Sequence, residues 1–146
     1  MPRVTIEPTL IDFPDIGTIA AGIALFKASG ENYYPPFLGH HGGFERNIRA
    51  EENEIKKFHI ALSRKDFLLE TWRFTDGNRR TCDNFLVYVH HWYHSEYYQI
   101  LDIISPNAHT RVDRLIYDIV KKSDVFHALS LSDLQKLPYF DENYVL

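Results

Sequence analysis

Seven of the eight histidines in this 146-residue chain fall between His40 and His109. Imidazole has an unperturbed pKa of roughly 6.5, so it can hold or release a proton near neutral pH, and its neutral form also binds transition metals. The histidine groupings ask for different chemistry. His90, His91 and His94 would converge as metal ligands on a helical face, but Phe85 to Trp92 is rich in β-branched and aromatic residues and reads as a strand. On a strand His90 and His91 point to opposite faces. No Cys or carboxylate stands at a familiar ligand spacing, so neither a metal nor another cofactor is expected. His40-His41 precedes Gly42-Gly43. Backbone there can approach a phosphate closely, and two turn histidines making local hydrogen bonds fit the same pattern. His109 follows Pro106 at the start of a helix, where N–H groups and the dipole favour an anion; a proton donor suits that place, and so does a simple cap. Fixed positive charge comes from Arg79-Arg80, with Lys56-Lys57 and Arg46 nearby in sequence, either to hold phosphates or as solvated surface.

These side chains need elements to position them. Val4 to Ile6 reads as a short opening strand. Pro14-Asp15 then starts a helix, with Ile16, Ile19, Ala20 and Ile23 at helical spacing and Gly30 as its stop. Asn32 to Gly43 is full of breakers and reads as an ordered loop pinned by aromatic residues. Ile55 to Ser63 alternates, with Phe58, Ile60 and Leu62 on one face and Lys57, His59 and Ala61 on the other. Phe85 to Trp92 and Tyr97 to Ile104 form an expected antiparallel hairpin across Tyr93 to Glu96. Pro106 ends that hairpin, and Val112, Leu115, Ile116, Ile119 and Val120 mark a helix to about Lys122. A short helix near Leu131 to Lys136 precedes an acidic tail. The order predicts an α+β domain, a small antiparallel sheet with helices packed on one face.

Composition sets the frame. With 45% apolar and 25% charged residues, residues 1–146 are expected to form one domain around one core. The single cysteine, Cys82, makes no internal bridge and suits a reducing compartment. No basic stretch followed by a long apolar run opens the chain, so a cytoplasmic protein with no membrane partner is expected. The net charge of -4 argues against nucleic acid, yet residues 1–26 carry -2 and residues 123–146 carry -3, which leaves the middle at +1. An RNA partner is permitted by that distribution.

Four motifs in order then carry a resemblance: Pro-Pro-Phe-Leu-Gly-His-His at 35–41, Phe58-His59-Ile60-Ala61, Thr81-x-Asp83 leading into Leu86-Val87-Tyr88, and Ile104-x-Pro106-x-Ala108-His109. Across roughly Ala24 to Phe126 the chain resembles the YafO family of type II toxin-antitoxin toxins, within the wider group of RelE-like ribosome-dependent RNA endonucleases. The resemblance implies a RelE/ParE-like fold, cleavage of mRNA on the ribosome without a metal, and restraint by a cognate antitoxin. Such cleavage needs a base for the ribose 2′-hydroxyl, an acid for the leaving oxygen and cations for the charge that develops. In this chain those roles fall to His59 and His109 as the proton-transfer pair, with His40 or His41 assisting. Arg79 or Arg80 would grip phosphate along with Lys57, and Tyr88 would orient the RNA by stacking or hydrogen bonding. A toxin docked on the ribosome shares the work of binding RNA, which fits its modest charge. The family loop reads Arg-Asp where this chain has His40-His41, and residues 128–146 form an additional acidic segment.

Two other readings compete. A Tyr- and His-rich face serves equally in a non-catalytic protein-binding module, since aromatic residues dominate such contacts. A toxin of the same fold that inhibits a topoisomerase is the third, because fold does not fix function.

Overall fold

Strand parity and two irregularities in it decide which side chains meet. A computed structural model describes residues 1–144. Five strands, β1 (Arg3–Ile6), β2 (Leu38–Gly43), β3 (Ile55–Ile60), β4 (Phe85–His90) and β5 (Tyr97–Ile104), form one sheet in the order β1-β5-β4-β3-β2. The pairs β2-β3, β3-β4 and β4-β5 are antiparallel, whereas β1 runs parallel to β5. The sheet is thus mixed rather than purely antiparallel, because β1 reaches the far edge by a connection that includes the long helix α1 (Ile16–Ala28).

The α+β class is the one expected, but helices cover both faces rather than one. Alternation along β3 and β4 sends Phe58, Ile60, Leu86 and Tyr88 to one side, where they pack with Ile19, Ile23 and Phe26 of α1. Ile55, Phe85, Val87 and Val89 go to the other side, against Val112, Ile119, Val120 and Phe126 of α4 (Ala108–His127). Helix α4 is strongly amphipathic, and each fully buried side chain such as Ile119 or Phe126 contributes about 1.5–3 kcal/mol. Helix α1 has buried residues around most of its surface because Phe37, from the segment after it, packs over Gly22. A Cβ on Gly22 would lie 2.5 Å from the Phe37 ring.

The stretch 32–43 is only half a loop: from Leu38 it is strand β2. Helices α2 (Ile48–Glu52) and α3 (Arg64–Phe67) also stand where no element is expected, each too short to show a helical period. The terminal segment is part of the fold. After α5 (Leu131–Gln135), with Leu134 buried in the α4-side core, Phe140 exchanges backbone hydrogen bonds of 2.9 Å each way with Val4. It therefore covers the β1 edge, at the opposite side of the sheet from β2 and β3.

Candidate functional site

The β2-β3 pairing contains a bulge. Leu38 stands opposite Ile60 and His41 opposite Phe58, so Gly39 and His40 together face the single residue His59. Leu38 and His41, three apart, consequently point to the same side, toward α1. His40 is turned to the other side, with its ring centroid 6.0 Å from that of His59. The bulge needs glycine: a Cβ on Gly39 would lie 2.6 Å from the Arg80 carbonyl and 2.9 Å from the Trp72 ring.

On this face the start of α4 supplies the next imidazole. Asn107, the N-cap residue, adopts a left-handed conformation and makes no side-chain cap bond. Asp83, from the segment before β4, caps the helix instead. Its carbonyl accepts the Ala108 N–H at 3.0 Å, and its Oδ1 accepts the His109 N–H at 3.0 Å and the His109 Nδ1–H at 2.6 Å. The two His109 donors, backbone first, hold the Asp83 carboxyl below the usual carboxylate range. The His109 ring is thereby fixed 5.4 Å from His59 and 4.7 Å from Phe85, centroid to centroid.

His59 is 6% exposed. Its Nδ1 lies 2.7 Å from the Cys82 carbonyl and 3.1 Å from the Cys82 N–H, and one nitrogen cannot donate to the first while accepting from the second. The shorter contact decides: a carbonyl at that distance from an unprotonated nitrogen would set lone pair against lone pair, so Nδ1 carries the proton. Its Nε2 is then the free, basic atom. Burial pushes the His59 imidazole down to about 4, against the pull of the Cys82 carbonyl, so the ring is neutral at pH 7.

The three imidazoles line a cavity of about 630 Å³ between the β2-β3 edge, the turn leading to α2 and the first turns of α4. Lys57, on the His59 face of β3, contributes its ammonium, which donates to the Gly43 carbonyl at 2.7 Å and sits 4.2 Å from the Phe44 ring centroid. Burial lowers the Lys57 pKa, with Glu45 and Glu51 opposing. Arg46 is exposed where it lines the cavity, and Phe44 and Phe85 give it apolar walls. The arrangement sets two imidazoles within reach of one small group, with two cations, Lys57 and Arg46, and two carboxylates, Glu45 and Asp113, around the same cavity.

The structure thus brings together His40, His59, His109 and Lys57, and it sends the other expected site residues elsewhere. His41 lies on the α1 side among Phe26 and Phe58, and its Nε2 shares a 2.7 Å hydrogen bond with the Tyr88 hydroxyl. Burial pushes His41 down to about 4. Tyr88 is fully buried in the same core, so it has no surface on which a base could stack. Arg80 spends its guanidinium on the carbonyls of Pro35, Leu38 and Thr75, at 3.0–3.1 Å. Arg79 is exposed on that same loop, and neither arginine lines the cavity.

His90 and His91 diverge across β4: His90 stacks on Tyr98, and His91 is buried against Phe126. Among the described residues no group of three or more His, Cys, Asp or Glu is placed to hold a metal ion, and no helix is long and apolar enough to cross a membrane. Reading the sequence missed Asp83 as the partner of His109. Its one signal is its place in the Thr81-x-Asp83 motif, because no local spacing links it to a residue 26 positions on. Phe44 was missed as well, and Arg46 was noted only as nearby charge.

Neither a curated protein nor a solved structure matches the chain. Residues 24–128 match the family model described as toxin YafO, type II toxin-antitoxin system. The matched span runs from within α1 to the end of α4 and contains every residue of the cavity, while β1 and Phe140, which bridges to it at the sheet edge, lie outside. The chain therefore belongs to the YafO family of type II toxin-antitoxin toxins.

Proposed function

We propose that this toxin is an endoribonuclease that cleaves mRNA on the ribosome, by attack of a ribose 2′-hydroxyl on the adjacent phosphorus. The observation that carries the reading is the pair His59 and His109, from β3 and α4, with rings 5.4 Å apart on one cavity wall and both Nδ1 atoms already bonded.

The neutral His59 Nε2 takes the 2′-hydroxyl proton. The O2′–P bond forms as the P–O5′ bond breaks, and His109 supplies a proton to O5′. His109 acts as the imidazolium: Asp83 accepts its Nδ1–H and stabilises the charged ring, and the proton on Nε2 is the one passed to O5′, which leaves the Nδ1–H tautomer behind. Lys57 and Arg46 offset the charge gathering on the phosphate oxygens. His40 assists on the other side of His59.

A type II toxin is held by an antitoxin, and the cavity is the surface such a partner would have to cover or distort. Low intrinsic positive charge fits a nuclease that acts on RNA already gathered by the ribosome. Primer extension on mRNA from translating ribosomes tests the reading: new cuts with the parent chain, lost with His109→Ala, support it. Intact mRNA with the folded parent chain overturns it.

A further inference from the structure

Phe74 is 96% exposed, and its backbone has φ 58°, the left-handed region that a bulky residue adopts only when its surroundings impose it. Nothing about local flexibility accounts for this, because the loop that carries it is tied at every level. At its base Thr71 and Thr81 are joined twice, by Thr81 N–H to the Thr71 carbonyl at 3.0 Å and the Thr71 hydroxyl to the Thr81 carbonyl at 2.7 Å. Inside it Trp72 is buried, with its indole N–H on the Pro36 carbonyl at 3.1 Å. The Arg80 guanidinium clamps it to Pro35 and Leu38 and ties it across itself to the Thr75 carbonyl. The fold therefore holds an aromatic ring out into solvent on a rigid base, at the cost of both backbone strain and apolar exposure.

The loop's charge says what the ring is for. From Arg64 to Arg80 the chain has five basic and three acidic residues, a net of +2 in a molecule of -4. Arg73 and Arg79 are exposed, and the Arg73 guanidinium lies 4.9 Å from the Phe74 ring centroid. The loop also adjoins the cavity: the Asn78 carbonyl bonds the His40 ring at 2.9 Å, and the Arg80 carbonyl accepts the His40 N–H at 2.9 Å. A rigid aromatic flanked by guanidinium groups, beside a phosphate-transfer cavity, matches the way proteins hold single-stranded nucleic acid.

We propose that the Thr71–Thr81 loop is a second RNA contact, in which Phe74 stacks on an unpaired base while Arg73 and Arg79 meet the flanking phosphates. This deepens the reading of the cavity as an RNA site and rests on it for the choice of RNA as partner. The base belongs either to the mRNA or to ribosomal RNA, and the experiment separates the two.

Binding is measured in the His109→Ala background, which makes no cuts, for Phe74, Phe74→Ala, Phe74→Leu and Phe74→Trp. The probes are a single-stranded RNA of about ten nucleotides and vacant ribosomes. Phe74 is almost wholly exposed, so all four chains fold alike, and thermal melts verify it. The expected result is affinity about tenfold lower for both the Ala and the Leu variants and kept by Trp, because only a π-face stacks. Loss on the oligomer assigns the base to mRNA, and loss on vacant ribosomes alone assigns it to ribosomal RNA.

Equal affinity of Phe74 and Phe74→Ala overturns the proposal, as does absence of binding to both probes. Retention by Leu also overturns it, and would mark this loop, with the neighbouring exposed Leu68 and Leu69, as an apolar protein contact. Cleavage is read separately with the His109 chain, so a protein that binds through Phe74 yet never cuts would refute the reaction and leave this contact standing.

Discussion

His59 and His109 stand with ring centroids 5.4 Å apart, and each has its Nδ1 committed, to the Cys82 carbonyl and the Asp83 carboxylate respectively. Two imidazoles so held leave both Nε2 atoms for the reaction, unprotonated on the base His59 and protonated on the acid His109, whose imidazolium the Asp83 carboxylate stabilises.

Asp83→Asn keeps a carbonyl oxygen for the α4 N-terminus but can hold His109 in the wrong tautomer. Cleavage by this variant is expected to fall by about a hundredfold or more, as loss of the orienting carboxylate does in a hydrolase triad. Stability should change little. Asp83→Ala should in addition lose about 1 kcal/mol, because the side chain that caps the α4 N-terminus is gone. Single-turnover cleavage and urea titration of both variants separate the two roles.

Stability should depend on pH through His41 and His59. Burial takes both from the ordinary 6.5 to about 4 in the folded chain, so the unfolded chain binds more protons in between. Their contribution is complete above pH 6.5 and is lost as pH falls from there through about 4. Urea midpoints measured across that window should decline toward acid, and His41→Gln or His59→Gln should each flatten the decline. A midpoint that stays constant or rises over that interval contradicts the assignment.

The hydrogen bond between Tyr88 and His41 is structural and lies on the α1 side of the sheet. Tyr88→Phe takes the partner from a partly buried imidazole nitrogen and should cost about 0.5–1.5 kcal/mol, while the folded fraction still cuts RNA. Guanidinium denaturation alongside cleavage per folded molecule checks both halves.

Gly39→Ala forces a Cβ against the Arg80 carbonyl and the Trp72 ring. The bulge must shift, taking His40 out of the cavity, at a cost of about 1–3 kcal/mol. Both the thermal midpoint and the cleavage rate should drop.

The histidine of β3 was legible in the sequence because Phe58, Ile60 and Leu62 alternate with Lys57, His59 and Ala61, which puts His59 on the Lys57 side. The same parity, carried to β4, would have placed Tyr88 with Leu86 and Phe58 in the core rather than among RNA contacts. His41 was hidden for a different reason. Two residues opposite one at the bulge break the alternation, so β2 reads as a loop and its two histidines as one unit, although the sheet separates them. Arg80 looked like a phosphate ligand because its acceptors, Pro35 and Leu38, lie some forty residues earlier, and nothing local announces them. Helix α4 could be read from its apolar stripe, but not its capping by Asp83, which depends on how β4 and α4 are brought together.

The most direct test of the central claim is the chemistry of the RNA ends left on ribosome-bound mRNA. Attack by the 2′-hydroxyl leaves a 2′,3′-cyclic phosphate or its 3′-phosphate product upstream and a 5′-hydroxyl downstream, and His59→Ala and His109→Ala should each abolish these ends. Cuts that carry a 3′-hydroxyl and a 5′-phosphate, or cuts that persist undiminished in both variants, would contradict the account.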